Sequence, residues 1–150
     1  MIWVCVIAAV FLLDHRIKTW AEQNLKKGEK REIGKSGFSF QLLHNSGFAG
    51  SHMRQHPALV KTVHTIVLLV CGIGCVLAGC FKRGKGLTSF GVSLMLGGGA
   101  SNLYDRIKKD YVVDYLGLPI AKKLVFNLSD LCIFAGTFFV FLGELLEKRG

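Results

Sequence analysis

The chain has few acidic residues and almost no proline. Its 150 residues include 10 Asp and Glu against 19 Lys and Arg, a formal net charge of +9, and only two prolines. Such an excess of positive charge is typical of proteins that bind nucleic acid or anionic lipid headgroups. Nucleic-acid binding fits poorly, because 51% of the residues are hydrophobic and they form long blocks instead of a dispersed core pattern. The composition therefore favours a small integral membrane protein with basic surfaces.

The sequence also lacks the short motifs of several enzyme classes. It contains no GxSxG motif, no Walker loop and no dinucleotide-binding fingerprint. The five cysteines form no CxxC pair and lie in or beside apolar blocks, which favours small apolar fillers over a disulfide framework or a zinc site. His52 and His56 have the i, i+4 spacing of metal ligands, but HMRQH lacks the glutamate of HExxH. We expect no metal and no cofactor.

Four apolar segments predict helices that span a membrane. Because a span needs about 20 helical residues, the first is expected to continue beyond Leu13, where Asp14 and Lys18 can pair at i, i+4. The four predicted helices cover Met1–Trp20, Ala58–Phe81, Leu87–Tyr104 and Leu131–Leu146. Four spans place both termini on one side. The short basic ends at 82–85 and 148–150 favour the cytoplasm for that side, although the other two loops hold more Lys and Arg in total.

The longest polar region runs from Glu22 to Pro57. Within it, Ser36–Leu43 (SGFSFQLL) alternates apolar and polar residues, which predicts a short strand or hairpin lying on the membrane surface. Phe38, Phe40 and Leu42 would share one side of that strand. The glycines and Asn45 in HNSGFAGSH, residues 44–52, predict a tight turn after it.

Polar residues also crowd between the third and fourth spans. Asn102 and Arg106 are i, i+4 and share a helix face, with Asp105 adjacent. That face either lines a polar site or forms an interfacial helix end whose charges extend to the headgroups.

Two carboxylates beside apolar residues, Asp114 and Asp130, are the candidate catalytic pair. If they meet, one keeps a proton while the other activates water. The alternative is two surface residues, with Asp130 as a helix N-cap.

Five motifs, in order across nearly the whole chain, resemble those of the lipoprotein signal peptidase (signal peptidase II) family. The motifs are LLDHRIK with Asp14 and Lys18, NSGFA with Asn45 and Gly47, GGASNLYDR with Gly98, Asn102, Asp105 and Arg106, VVDYL with Asp114, and FNLSD with Asn127 and Asp130. Each motif alone is weak, whereas the ordered set is specific.

The resemblance implies a mainly α integral membrane fold, with four transmembrane helices, a small extracytoplasmic β-sheet cradle and a surface helix. It implies a single membrane-embedded peptidase domain over residues 1–150, in the bacterial cytoplasmic membrane. The active site would open at the outer face, with both termini cytoplasmic. The enzyme would be an aspartic endopeptidase that cuts diacylglyceryl-modified prolipoproteins on the N-terminal side of the lipidated Cys. Besides these substrates and membrane lipids, globomycin-like inhibitors are candidate ligands.

The same resemblance assigns roles to individual residues. Asp114 and Asp130 would share a proton and hold the attacking water, and Asn127 and Asn102 would position groups around them. Arg106 would anchor the helix–loop junction or the substrate chain. The remaining candidate residues would support substrate binding or shape the outer cradle: Asp14, Lys18, Asn45, Gly47 and Gly98.

The chain departs from the family pattern at four positions. Phe48 replaces a small residue, and Gly50 stands where an aromatic is usual. Ser101 replaces a Gly, and Ser129 replaces an Ala. These departures leave the aspartates intact but raise two alternatives, a paralogue of narrow substrate range and an inactive one that binds lipopeptide or inhibitor. A small membrane scaffold or channel subunit is a third alternative, which would not need these motifs.

Overall fold

Four helices and four short strands make up the described part of the chain. The computed structural model describes residues 1–47, 55–82, 85–121 and 124–147. The elements in chain order are α1 (Ile2–Asn24), β1 (Lys30–Glu32), β2 (Ser39–Asn45), α2 (Pro57–Leu77), α3 (Gly86–Lys109), β3 (Val112–Gly117), β4 (Val125–Phe126) and α4 (Leu128–Glu147). The prediction of a mainly helical chain with a small sheet is confirmed.

Two of the helices pass a simple test of length and apolarity for crossing a membrane. They are Pro57–Leu77 and the stretch Leu128–Leu146 of α4. Helices α1 and α3 are long enough, at 23 and 24 residues, but both carry charged residues in their middle or last turns. Those charges include Asp14, Lys18 and Asp105, which are buried inside the protein.

Helix α3 lies at the centre and packs against the other three helices. Its contact with α4 is close because both helices present glycine where they cross. A Cβ atom added to Gly91 would lie 2.5 Å from the backbone oxygen of Gly136, and one added to Gly136 would lie 2.5 Å from that of Gly91. Any side chain at either position would push the helices apart.

The strands form one antiparallel sheet in the order β1-β2-β3-β4. The predicted strand Ser36–Leu43 is displaced: β2 begins at Ser39 and continues to Asn45, so Phe38 precedes it. Asp114, which the sequence placed in a loop, lies on β3 opposite Leu43 of β2. The alternation argument missed β3, because both faces of that strand are mostly covered and its sequence is a nearly unbroken apolar run.

The sheet is held to the end of α1 by a small apolar core. Ala21 and Leu25 from this end pack with Leu42, Val113 and Tyr115 from the sheet. All five are at most 8% exposed. The core fixes β2 and β3 over the ends of α1 and α3, and so places Asp114 where these helices meet the sheet.

Some expectations lie partly or wholly outside the described residues. Residues 48–54 contain Phe48, Gly50 and His52, and parts of the two basic ends fall at 83–84 and 148–150. Of the described residues between positions 25 and 56, none is helical, so the expected surface helix has no counterpart in the described part of this segment.

Helix α2 packs against α3 along one side and is otherwise largely exposed. Of its 21 residues, all of them described, only Val60 is buried. The opposite holds for α3, where half of the helix is buried. Helix α2 therefore presents nearly its whole apolar surface outwards.

Candidate active site

A cavity of about 220 Å³ lies where the sheet meets α2, α3 and the start of α4. It combines carboxylate, amide and guanidinium groups with an apolar wall. Its lining residues are Asn45, His64, Asn102, Arg106, Val112, Asp114, Leu124, Val125, Phe126, Asp130 and Phe134. Five predicted site residues are thus brought together here: Asn45, Asn102, Arg106, Asp114 and Asp130.

Asp114 reaches the cavity from β3 and is 2% exposed. Its Oδ1 accepts a hydrogen bond from Asn127 Nδ2 at 2.8 Å, and its Oδ2 accepts one from Asn45 Nδ2 at 3.1 Å. Burial raises the pKa of this carboxyl to about 7, and the negative charge of Asp130 acts in the same direction. The two amide donors oppose this change but do not cancel it. Asp114 therefore tends to hold a proton near neutral pH.

Asp130 is fixed in the first turn of α4 by a reciprocal pair of hydrogen bonds. The Asp130 N–H donates to Asn127 Oδ1 at 2.9 Å, and the Asn127 N–H donates to Asp130 Oδ2 at 3.3 Å. This is the arrangement of a capping box. The alternative in which Asp130 is a surface N-cap therefore does not hold, because Asn127 caps the helix and Asp130 follows three residues later.

Two asparagine side chains connect the aspartates. Asn102 Nδ2 donates to Asp130 Oδ1 at 2.8 Å. Asn127 Nδ2 donates to Asp114 and, at 3.2 Å, to Asn102 Oδ1. Since each amide has a fixed donor end and acceptor end, this chain of contacts sets the orientation of both carboxylates. Asn127 is completely buried and supports the cavity from behind.

Behind the cavity, Asp14 and Lys18 form a fully buried ion pair, with Lys18 Nζ 2.7 Å from Asp14 Oδ2. The predicted i, i+4 contact is present, but Asp14 does not line the cavity. The expectation that it shapes an outer cradle was wrong, because its carboxylate points into the contact between α1, α3 and α4. Lys18 Nζ also donates to Asn102 Oδ1 at 2.7 Å and lies 3.4 Å from Asp105 Oδ2. The ion pair thus fixes the side-chain amide of Asn102, which in turn fixes the carboxylate of Asp130.

Two serines that sequence reasoning did not place in the site complete this buried network. Ser101 Oγ and Ser129 Oγ both donate to Asp14 Oδ2, at 2.7 and 2.5 Å. Neither serine lines the cavity. These two departures from the family pattern therefore change the buried network behind the site and not the cavity wall. Each serine directly precedes a predicted site residue, Asn102 or Asp130, and this position in the sequence could have indicated a supporting role.

Arg106 connects α3 to the turn after β2. Its Nη2 donates to the backbone oxygen of Gly47 at 2.7 Å, while Asn45 Oδ1 accepts the Gly47 N–H at 3.1 Å. The rest of the NSGFA motif, Phe48 and Ala49, lies outside the described residues. His64 of α2, with Nδ1 3.4 Å from Arg106 Nη1, was missed because only the fold brings α2 to this wall.

Gly98 allows α3 to approach the start of α4. A Cβ added there would lie 2.6 Å from the backbone oxygen of Ser129. This close approach brings Asn102 within reach of Asp130. No group of three or more His, Cys, Asp or Glu side chains suited to a metal ion occurs among the residues that the structure describes.

The model of the family described as Signal peptidase (SPase) II matches residues 6–146. The chain belongs to the signal peptidase II family. The predicted family is confirmed, and with it the assignment as a peptidase of lipoprotein processing. The alternatives of an inactive paralogue and of a scaffold or channel subunit are not favoured.

Individual members of the signal peptidase II family match over most of their length. The chain is 31% identical to a lipoprotein signal peptidase of Lactiplantibacillus plantarum, covering 97% of this chain and 95% of the relative. It is 34% identical to one of Halothermothrix orenii, covering 87% and 86%. Two solved bacterial membrane enzymes share the fold, with TM-scores of 0.82 and 0.77 at 17% and 19% identity. The first match covers 97% of this chain and 88% of that one, the second 95% and 92%.

Proposed function

We propose that this chain is an aspartic endopeptidase that removes the signal peptide from diacylglyceryl-modified prolipoproteins. It cuts on the N-terminal side of the lipidated Cys, and residues 1–150 act as one membrane-embedded domain. The observation that carries the proposal is a pair of carboxylates, the buried Asp114 and the half-buried Asp130, that face one cavity and are joined through Asn127 and Asn102.

Two carboxylates that face one cavity do not both ionise readily, so one of them holds a proton while the other is charged. We assign the charged role of general base to Asp130, whose two oxygens are oriented by N–H donors. The raised pKa of Asp114, about 7, keeps a proton available for the carbonyl oxygen of the substrate. Asp130 removes a proton from water, and the water oxygen attacks the carbonyl carbon while Asp114 donates to the oxygen. The tetrahedral intermediate then breaks its C–N bond: the proton held by Asp130 passes to the leaving amine of the Cys, and one hydroxyl returns its proton to Asp114 as the C=O bond of the new carboxyl group forms.

The arrangement of helix ends supports a four-span topology. Helices α1 and α3 end beside the sheet, and α2 and α4 begin there, so the sheet and the cavity lie at one end of the bundle. At about 1.5 Å per residue, each helix of 20 to 24 residues is long enough for a hydrocarbon core of about 30 Å. The charges of Asp14, Lys18 and Asp105 face one another inside the protein, which removes the main cost of placing these three residues in lipid. We place the cavity at the outer face of the bacterial cytoplasmic membrane and both termini in the cytoplasm.

The apolar wall of the cavity supports a lipidated substrate. Phe126 and Phe134 lie on the side where α4 faces outwards, and Phe134 is 61% exposed. A diacylglyceryl group on the substrate Cys could remain in the bilayer against this wall while the peptide bond reaches the aspartates. A globomycin-like inhibitor would compete for the same space.

The proposal is tested by cleavage of a diacylglyceryl precursor, followed as a shift on a gel. Asp114→Asn and Asp130→Asn each keep the shape of the side chain but remove its acid–base function. We expect each change to lower the rate by about a thousandfold or more. Asp110→Asn is the matched control, because Asp110 is exposed and pairs with Lys61 outside the cavity, and it should retain full activity. Cleavage retained by both site variants would exclude the mechanism.

A further inference from the structure

A second, larger cavity lies between α1, the sheet and the start of α4, and shares no lining residue with the catalytic cavity. Its volume is about 510 Å³. Apart from Arg16 at its edge, its walls are apolar or aromatic: Ile17, Trp20, Phe40, Tyr115, Leu116, Leu128 and Leu131. The Tyr115 hydroxyl does not present an unsatisfied polar group to this cavity, because it accepts a hydrogen bond from the Leu128 N–H and donates one to Asp14. We call this cavity the apolar groove.

A shallow depression of about 340 Å³ adjoins the apolar groove. Most of the side chains that line it end in polar groups: His15, Arg16, Thr19 and Gln23, together with Trp20, all of α1. Arg16 and Trp20 line both cavities. The apolar groove therefore ends at one guanidinium and one indole, beyond which polar groups are within reach, and this suits an amphiphilic molecule.

The guanidinium at this boundary belongs to Arg16, on the outer surface of α1. Among the described residues, no ion pair or hydrogen bond to the Arg16 side chain is present, and the residue is exposed. An unpaired cation on a helix surrounded by lipid is costly unless it reaches an anionic headgroup. Arginine binds phosphate with two parallel N–H donors, and Trp20, one turn nearer the sheet, is a residue type typical of the headgroup level.

We propose that the apolar groove and its polar neighbour bind an anionic phospholipid of the membrane. One acyl chain lies along Ile17, Leu128 and Leu131, and the phosphate is held by Arg16. The occupant is a phospholipid and not the lipid of the substrate, because a diacylglyceryl group on Cys carries no phosphate and gains nothing from the cation. The inference rests on the proposed placement of α1 in the membrane. It does not depend on the catalytic mechanism.

Tryptophan fluorescence provides a direct test, because the chain has only two tryptophans, Trp3 and Trp20. In a Trp3→Phe background, Trp20 is the only tryptophan emitter and lines both cavities. The protein is reconstituted in phosphatidylcholine vesicles in which a growing fraction of lipid is brominated phosphatidylglycerol or brominated phosphatidylcholine, since bromine quenches indole on contact. We expect phosphatidylglycerol to bind about threefold or more tightly than phosphatidylcholine, in keeping with about 1 kcal/mol for one cation near an anionic lipid.

Arg16→Gln should reduce this preference to about one, whereas Lys26→Gln should leave it unchanged. Lys26 is the matched control, because it is an exposed cation just beyond the same helix that lines neither cavity. Precursor cleavage by Arg16→Gln within twofold of the parent shows that the variant is folded. Equal quenching by the two lipids, or a preference that survives Arg16→Gln, would overturn the proposal. If neither lipid quenches Trp20, the placement of α1 in the membrane is wrong and the lipid site is wrong with it, whatever the cleavage assay shows.

Discussion

Replacing Lys18 with methionine removes the cation that pairs with Asp14 while keeping most of the side-chain volume. In the parent, Lys18 is completely buried and its Nζ contacts Asp14 and Asn102, both at 2.7 Å. Removing one partner of a buried ion pair leaves an uncompensated charge, which typically costs about 3–5 kcal/mol. Domains commonly have a total stability of about 5–15 kcal/mol. Lys18→Met should therefore lose a large part of the free energy of unfolding.

Lys61→Met is the matched control for this loss. Lys61 also lies on a helix and pairs with an acid, Asp110, at 2.8 Å. Here the side chains are 34% and 70% exposed, and exposed pairs contribute about 0–1 kcal/mol. The two lysine substitutions should thus differ by several kcal/mol, because water screens one pair and is excluded from the other.

The assay is unfolding of the purified protein in mixed micelles, together with cleavage at a temperature where each variant stays folded. Lys18→Met should lower the cleavage rate by about tenfold or more, because Asn102 Oδ1 loses the shorter of the two hydrogen bonds that orient its amide towards Asp130. Adding Asp14→Asn should restore part of the stability by removing the unpaired carboxylate, but it should not restore activity. Equal stability losses for Lys18→Met and Lys61→Met would refute the buried network, and full activity of Lys18→Met would refute its role in orienting Asn102.

Three further predictions concern pH, helix packing and the turn. Because the pKa of Asp114 is raised from 3.8 to about 7 in the folded state, stability should fall by about 4 kcal/mol as pH rises from about 4 to about 7, and cleavage should decline above pH 7. Unfolding titrations should show that Asp114→Asn lacks this slope. Gly98→Ala should lower the free energy of unfolding by about 1–3 kcal/mol and slow cleavage, because it separates α3 from α4. Gly74 has open space around it, so Gly74→Ala should leave both stability and cleavage unchanged. Arg106→Lys should raise KM, since a lysine cannot reproduce the guanidinium contact with Gly47; an unchanged KM would contradict this.

The sequence predicts the four helices because each is a long apolar or i, i+4-patterned segment. The predicted ends of the helices are less accurate where a helix continues through charged residues. Helix α3 runs past the predicted end at Tyr104 to Lys109, since Lys109 pairs with Asp105 and Glu22 and cations are favourable in a last turn. The contact with Glu22 crosses from α3 to α1 and leaves no local pattern, unlike the i, i+4 contact with Asp105.

Pairing across the chain also escapes prediction from sequence. Strand β3 pairs with β2, about 70 residues earlier, and only this pairing brings Asn45 to Asp114. The motifs identified the members of the site, including Asn102 and Asn127, but not how they are connected. The contacts of Ser101 and Ser129 with Asp14 depend on three helices meeting at one point.

The exposure of α2 has a practical consequence. Val70, which is 64% exposed, could carry a fluorophore or a photo-cross-linker without disturbing packing or catalysis, and would report when a precursor arrives beside the helix. The outward face of this helix should also be exchangeable: an unrelated apolar stretch of the same length should serve equally well if it keeps Val60, His64 and the two residues that lie against α3, Leu68 and Gly72.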